Sequence, residues 1–139
     1  MANIYHSLSE LVGHTPLLEL DNYERQLGLK AHLLGKLEYF NPSGSGKDRI
    51  AVSIIQAAER EGKIKQGDTI IAFTSGNTGI ATATYANALG FKCATVLQPG
   101  VSEERTLILR ALGVTLLYAE DVPGFSEMLF TRSFNEEAR

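Results

Sequence analysis

A single cysteine, Cys93, stands in the whole chain. That excludes an internal disulfide and any zinc site built from several cysteines. Positive charge is not in excess: 13 Lys and Arg against 16 Asp and Glu leave a net charge of −3. A protein that grips nucleic acid through phosphates needs a basic face, and a polybasic membrane anchor needs a basic run, so neither class fits. No apolar run approaches the ~20 residues of a membrane span. The opening Met1-Ala-Asn-Ile-Tyr-His6 lacks the basic start and apolar stretch of a signal peptide. The three histidines, His6, His14 and His32, lie far apart without ligand spacing, so no metal site is expected. Repeats, low-complexity segments and long linkers are also missing. These absences predict a soluble, cytoplasmic protein of a reduced compartment, with no nucleic-acid or membrane partner.

What is there is ordinary globular material: 139 residues, 44% hydrophobic and 21% charged. A chain of this length is one domain or less, and long enough to bury a real core. Ser7-Leu-Ser-Glu10 has capping-box spacing and predicts a short helical turn. Leu17-Leu-Glu-Leu20 reads as a short strand, and the alternation around Leu33, Gly35 and Leu37 as another. From Ser45 the pattern sharpens. Ile50, Ala51, Ile54, Ile55 and Ala58 recur at helical spacing, with Gly62 as the stop. Thr69 to Phe73 suits a buried strand. A small-residue helix is expected over about 80–89, a strand over 91–97, a helix capped by Ser102 and ending at Gly113, and a strand over 114–118. An amphipathic helix is expected over 125–139. Alternating strands and helices at these spacings mean parallel pairing, hence an α/β three-layer sandwich with a short, mostly parallel sheet. Ligands bind such sheets at the C-terminal ends of the strands.

Two motifs carry chemistry. In Asn41-Pro-Ser-Gly-Ser-Gly-Lys-Asp-Arg49, a lysine opens a helix. A solvated surface lysine is the plain alternative, but a helix N-terminus disfavours a cation by ~0.3–1 kcal/mol. The neutral amine is the form that attacks a carbonyl. A phosphate loop of the GxxxxGK[ST] type fails here, because Asn41 stands where its first Gly belongs and Asp48 where Ser or Thr would hold magnesium. A dinucleotide fingerprint fails on Arg49. The second motif, Thr74-Ser-Gly-Asn-Thr-Gly79, follows a strand and opens a helix. Backbone N–H groups, hydroxyls and an amide there suit a carboxylate or phosphate. The rival is a turn whose side chains merely cap the helix. Cys93 lies inside a strand and reads as core.

The two motifs in this order resemble the cysteine synthase (O-acetylserine sulfhydrylase) family of fold-type-II pyridoxal-phosphate enzymes. Gly13-His-Thr-Pro-Leu-Leu18 is similar to that family's opening segment, and Lys36-Leu-Glu-Tyr-Phe-Asn-Pro42 to the lead into its lysine motif. Thr74 to Gly79 is its asparagine loop unchanged, and Val101 to Gly113 is similar to a further segment. The resemblance implies that Lys47, flanked by Ser45, carries the cofactor and moves protons on the substrate. It implies that Asn77 hydrogen-bonds the cofactor's ring oxygen. Thr74, Ser75, Gly76 and Thr78 would hold the carboxylate of an amino-acid substrate. The implied reaction is β-replacement, O-acetylserine plus sulfide giving cysteine plus acetate. Cystathionine β-synthase-like condensation shares both motifs, and a non-catalytic remnant is a third reading.

This sequence departs from the family pattern at His14, where Asn is usual, at Gly46, where a branched residue is usual, and at Phe73, where proline is usual. Family members are also about twice as long. The resemblance therefore implies the small N-terminal domain of such an enzyme. Residues 39–139 would form that domain, and 1–38 a segment packing on a second one. The phosphate-holding loop would lie past residue 139. A truncated form with little activity alone, and homodimerisation or other self-association, are the corresponding expectations.

Overall fold

A computed structural model of the chain describes residues 3–74 and 76–121. Its first part is a small antiparallel pair. Strand β1 (Leu17–Glu19) lies beside β2 (Leu34–Lys36), with Leu17 opposite Lys36 and Glu19 opposite Leu34. Before them Ser7 caps a 3₁₀ turn over Leu8–Leu11, its hydroxyl accepting the Ser9 N–H at 3.3 Å. The expected box is rearranged, since the Glu10 carboxylate reaches the His6 N–H rather than that of Ser7.

Between the strands lies helix α1 (Asp21–Leu27), closed by Gly28 at φ 62°. Its periodic signal is short, since in Asp21-Asn-Tyr-Glu-Arg-Gln-Leu27 only Tyr23 and Leu27 are apolar, and the helix buries no side chain.

The second part has the expected parallel order. Strands β3 (Thr69–Ala72), β4 (Lys92–Leu97) and β5 (Thr115–Tyr118) pair in sequence order, all parallel, with β4 in the middle. Helices α2 (Lys47–Arg60), α3 (Asn77–Ala88) and α4 (Glu103–Ala111) complete it. Two consecutive right-handed crossovers stepping the same way put α3 and α4 on one sheet face. The core agrees: Ala51, Val52 and Ile55 of α2, Ala81, Ala83, Tyr85 and Ala86 of α3, Leu109 of α4, and Cys93 and Leu97 of β4 form one buried cluster. The helix expected over 125–139 lies outside the described residues.

Small residues explain how closely α2 and α3 approach. Gly79, Ala81, Ala83 and Ala86 are buried on α3, and the one large buried side chain there, Tyr85, reaches the N-terminal end of α2 at Asp48. The hydroxyls of Thr82 and Thr84 donate back to the carbonyls of Thr78 and Ile80, at 2.8 and 2.9 Å, and bring no unsatisfied donor with them. Cys93 is buried as expected, with Lys92 exposed beside it, and burial pushes its thiol up.

The N-terminal part is partnered unevenly. Leu8 and Val12 pack against the main core, whereas Ile4, Leu17, Leu18 and Leu34 are about half exposed or more.

Candidate active site

Lys47 is the first residue of α2, with Gly46 at the cap position making no side-chain capping bond. The Lys47 side chain is exposed, and its backbone N–H donates to Ser45 Oγ at 3.2 Å. The turn in front of it is organised by Asp48, which is fully buried. One carboxylate oxygen accepts the Ser43 N–H at 2.7 Å and the Tyr85 phenol at 2.5 Å. The other accepts the Ser43 hydroxyl and, at 3.3 Å, the Ser45 N–H. A buried carboxylate needs this many donors to offset its lost hydration. Desolvation first, and then the bond to Asp48, raise Tyr85 far above an ordinary phenol, so it stays a donor.

A second network ties the N-terminal part to the lysine turn. Glu38 binds Arg49 through both carboxylate oxygens, at 3.0 Å from Nε and 2.9 Å from Nη2. Thr15 donates to Glu38 at 2.6 Å, and Asn41 donates to it at 3.1 Å while accepting the Gly13 N–H at 2.8 Å. This fork fills the space beside Gly46, where an added Cβ would lie 3.0 Å from Glu38 Oε2. A side chain at position 46 would press on the end of Glu38 where it crosses the turn. His14 sits at φ 49°, a left-handed conformation in which Asn and His are both enriched, which accounts for one standing in for the other.

The Arg49 bonds, followed by that of Thr15, draw Glu38 from the ordinary 4.5 down to about 2. A carboxylate depressed in the folded state stabilises the fold above its ordinary pKa. That contribution is lost as pH falls from 4.5 through about 2. Glu38→Gln should therefore lower the urea midpoint at neutral pH and leave it close to the parent's in strong acid. An equal loss at both ends would contradict this.

The second motif begins where β3 ends. Thr74 and Gly76 line a cleft of about 210 Å³ with Phe73, Val96 and Gln98, at the C-terminal ends of β3 and β4. This is where an open parallel sheet receives ligands. Thr78 and Thr74 also border an apolar groove of about 310 Å³ beside α2. Asn77 is the first residue of α3, three residues earlier than expected. The cap position is Gly76, and it makes no side-chain capping bond. Its own N–H is taken by Thr74 Oγ1 at 3.3 Å. Glycine at that position leaves the start of α3 open to an anion, as a capping side chain would not.

The loop is pinned from β4. Thr95 Oγ1 lies 2.9 Å from the Ala72 carbonyl and 2.8 Å from that of Thr74. Gly79 lies under the same carbonyl, where an added Cβ would come within 2.2 Å of the Thr74 oxygen.

Thr74 and Gly76 thus share the cleft, Asn77 and Thr78 open α3, and Ser75 lies outside the described residues. Lys47 lines neither the cleft nor the groove. Sequence reasoning missed Asp48, Glu38, Tyr85 and Thr95, whose partners are up to 37 residues away. Only the buried-facing acid beside Lys47 could have hinted at the first.

Among the described residues, the Lys47 amine has no carboxylate partner, and the Gly76 cap position of α3 makes no side-chain capping bond. The family model described as pyridoxal-phosphate dependent enzyme matches residues 8–137. Cystathionine beta-synthase of Mus musculus is 45% identical over 106 residues, covering 76% of this chain and 19% of that protein. A cysteine synthase of Staphylococcus aureus is 44% identical over 111 residues, covering 80% of this chain and 35% of the other. Among solved structures, a hydrogen sulfide-producing enzyme from Fusobacterium nucleatum superposes with a TM-score of 0.81 at 32% identity, over 100% of this chain and 44% of that one. The chain thus spans about a fifth to a third of the curated relatives it matches.

Proposed function

Because the chain belongs to the pyridoxal-phosphate dependent enzyme family, we propose that it carries the lysine half of a cysteine synthase-type β-replacement site. The reaction converts O-acetylserine and sulfide to cysteine and acetate. The observation that carries this reading is Lys47, an exposed amine at the first position of α2, on a turn fixed by a buried carboxylate.

When bound, pyridoxal phosphate supplies the electron sink for bonds at the amino acid's α-carbon. Lys47 Nζ would hold the cofactor and would move the proton at the substrate α-carbon. The open start of α3, with Thr74, Ser75, Gly76 and Thr78, receives the substrate carboxylate. Asn77 orients the cofactor ring through its ring oxygen. Asp48 keeps the Lys47 turn from relaxing, so the amine is presented from a fixed backbone.

A second reading is condensation of the cystathionine β-synthase kind, with a thiol amino acid in place of sulfide. Its support is the 45% identity to the mouse enzyme, level with the cysteine synthase match. Offering each nucleophile to the enzyme separates the two. In either case we infer that residues 1–139 alone turn over little substrate. The two motifs leave the cofactor's phosphate and pyridine nitrogen without assigned contacts. Self-association through the exposed apolar side chains of β1 and β2 accompanies this reading, and light scattering would measure it.

The deciding experiment is borohydride reduction in the presence of pyridoxal phosphate, followed by peptide mapping. Label should concentrate at Lys47 and disappear in Lys47→Ala. Label at Lys36 or Lys63 in its place would overturn the assignment.

A further inference from the structure

Three donors that the sequence keeps apart meet on the N-terminal part. Glu19 ends β1, Glu24 lies in α1, and His32 sits just before β2. His32 Nδ1 is 3.3 Å from Glu19 Oε1 and 3.6 Å from Glu24 Oε2, and the three donor atoms lie within 4.8 Å of one another. Three nitrogen and oxygen donors ~2.1 Å from a tetrahedral metal ion sit ~3.4 Å apart. The two distances from His32 match that spacing, and the two carboxylates lie within 4.8 Å of each other, close enough to converge on one ion.

We propose that Glu19, Glu24 and His32 form a divalent-cation site, with Zn²⁺ as its reference ion. One imidazole and two carboxylates are a donor set for a borderline cation such as zinc, with a remaining position for water.

The backbone holds the donors in place before any ion arrives. The second oxygen of Glu24 accepts the Leu33 N–H, which orients that carboxylate from outside the coordination face. The Leu20 N–H donates to the Leu33 carbonyl at 3.0 Å, so the residues following Glu19 and His32 are locked together. Two carboxylates face one another here with only His32 between them, and a dication relieves more of that repulsion than a single imidazolium does.

The ion would also do structural work. Neither β1, α1 nor β2 buries a side chain fully. A cross-link among three elements that lack a core of their own offsets part of their ordering entropy.

The test uses the whole chain, free of any histidine tag, titrated with Zn²⁺ against a chromophoric chelator. One equivalent should bind. His32→Ala and Glu19→Gln should each weaken binding ~10-fold or more. His6→Ala should leave it unchanged. Both His32 and Glu19 are largely exposed, so these variants keep the fold, which circular dichroism in chelated buffer verifies. Co²⁺ substitution adds a second readout, a visible band of nitrogen and oxygen coordination that His32→Ala abolishes. No stoichiometric binding, or binding that survives His32→Ala, would overturn the proposal and leave the cluster an ordinary histidine–carboxylate ion pair.

Discussion

Gly79→Ala should be among the most damaging single methyl additions to this chain, costing ~3 kcal/mol or more. The added Cβ would meet the Thr74 carbonyl oxygen at 2.2 Å. That oxygen cannot retreat freely, because Thr95 Oγ1 holds it at 2.8 Å and is itself 1% exposed. Nor can α3 slide away, since Ala81, Ala83, Tyr85 and Ala86 are all fully buried against the core. The clash must be relieved by tearing the 74–79 loop from β4. For a chain of this size the thermal midpoint should drop by roughly 10 °C. Gly76→Ala is the control. Its φ is −88°, and the nearest atom to its added Cβ is Thr74 Oγ1 at 3.9 Å, so its stability should change by only ~0.5 kcal/mol. If the two alanines behave alike, the packing described for the loop is wrong.

Asp48→Ala is the second large effect. It would strand the fully buried Tyr85 phenol and the half-buried N–H and hydroxyl of Ser43. Buried donors left without an acceptor cost ~1–3 kcal/mol each, and part of that is recovered by relaxation or entering water, so ~3–5 kcal/mol is expected. Tyr85→Phe removes one donor and should cost less, about 1–2 kcal/mol. In the double variant the losses should fall short of their sum, because both act on one bond. Equilibrium unfolding in urea measures all three. A functional trace should accompany the stability loss: with the turn released, borohydride labelling should spread from Lys47 to other lysines. Additive losses would separate Asp48 from Tyr85, and labelling still confined to Lys47 would separate the carboxylate from the lysine turn.

Why some of this was legible and some not follows from distance along the chain. The apolar period of α2 and the run of β3 are local, so periodicity found them and placed Lys47 at a helix start. The parallel order followed from element alternation. Helix α1 escaped because its apolar side chains are only Tyr23 and Leu27, both more than half exposed, and it is closed by Gly28 rather than by packing. The start of α3 was set three residues late because Asn77 and Thr78 carry no apolar signal, and the helix begins from an uncapped glycine. Asp48 could be seen only as the wrong residue for a magnesium-binding loop. Its main partner, Tyr85, belongs to another helix. The Glu19, Glu24 and His32 cluster was hidden for the same reason. A search among histidines alone finds no ligand pair, and the carboxylates reach His32 only once β1 and β2 pair.

The burial of Cys93 bears on the sulfur chemistry proposed for the site. Sulfide and the thiol product can exchange with a protein disulfide, and an already oxidised sulfur species such as a disulfide or polysulfide can convert an accessible protein thiolate to a mixed disulfide or persulfide, releasing a thiolate. Such adducts need a thiolate that an oxidised sulfur species can reach. Cys93 is 4% exposed in the central strand, and its thiol is held in the protonated form by burial. The chain's one cysteine is thus mute in thiol–disulfide exchange: while β4 stays packed, the Cys93 side chain offers no thiolate to a disulfide or polysulfide and keeps no record of their redox state.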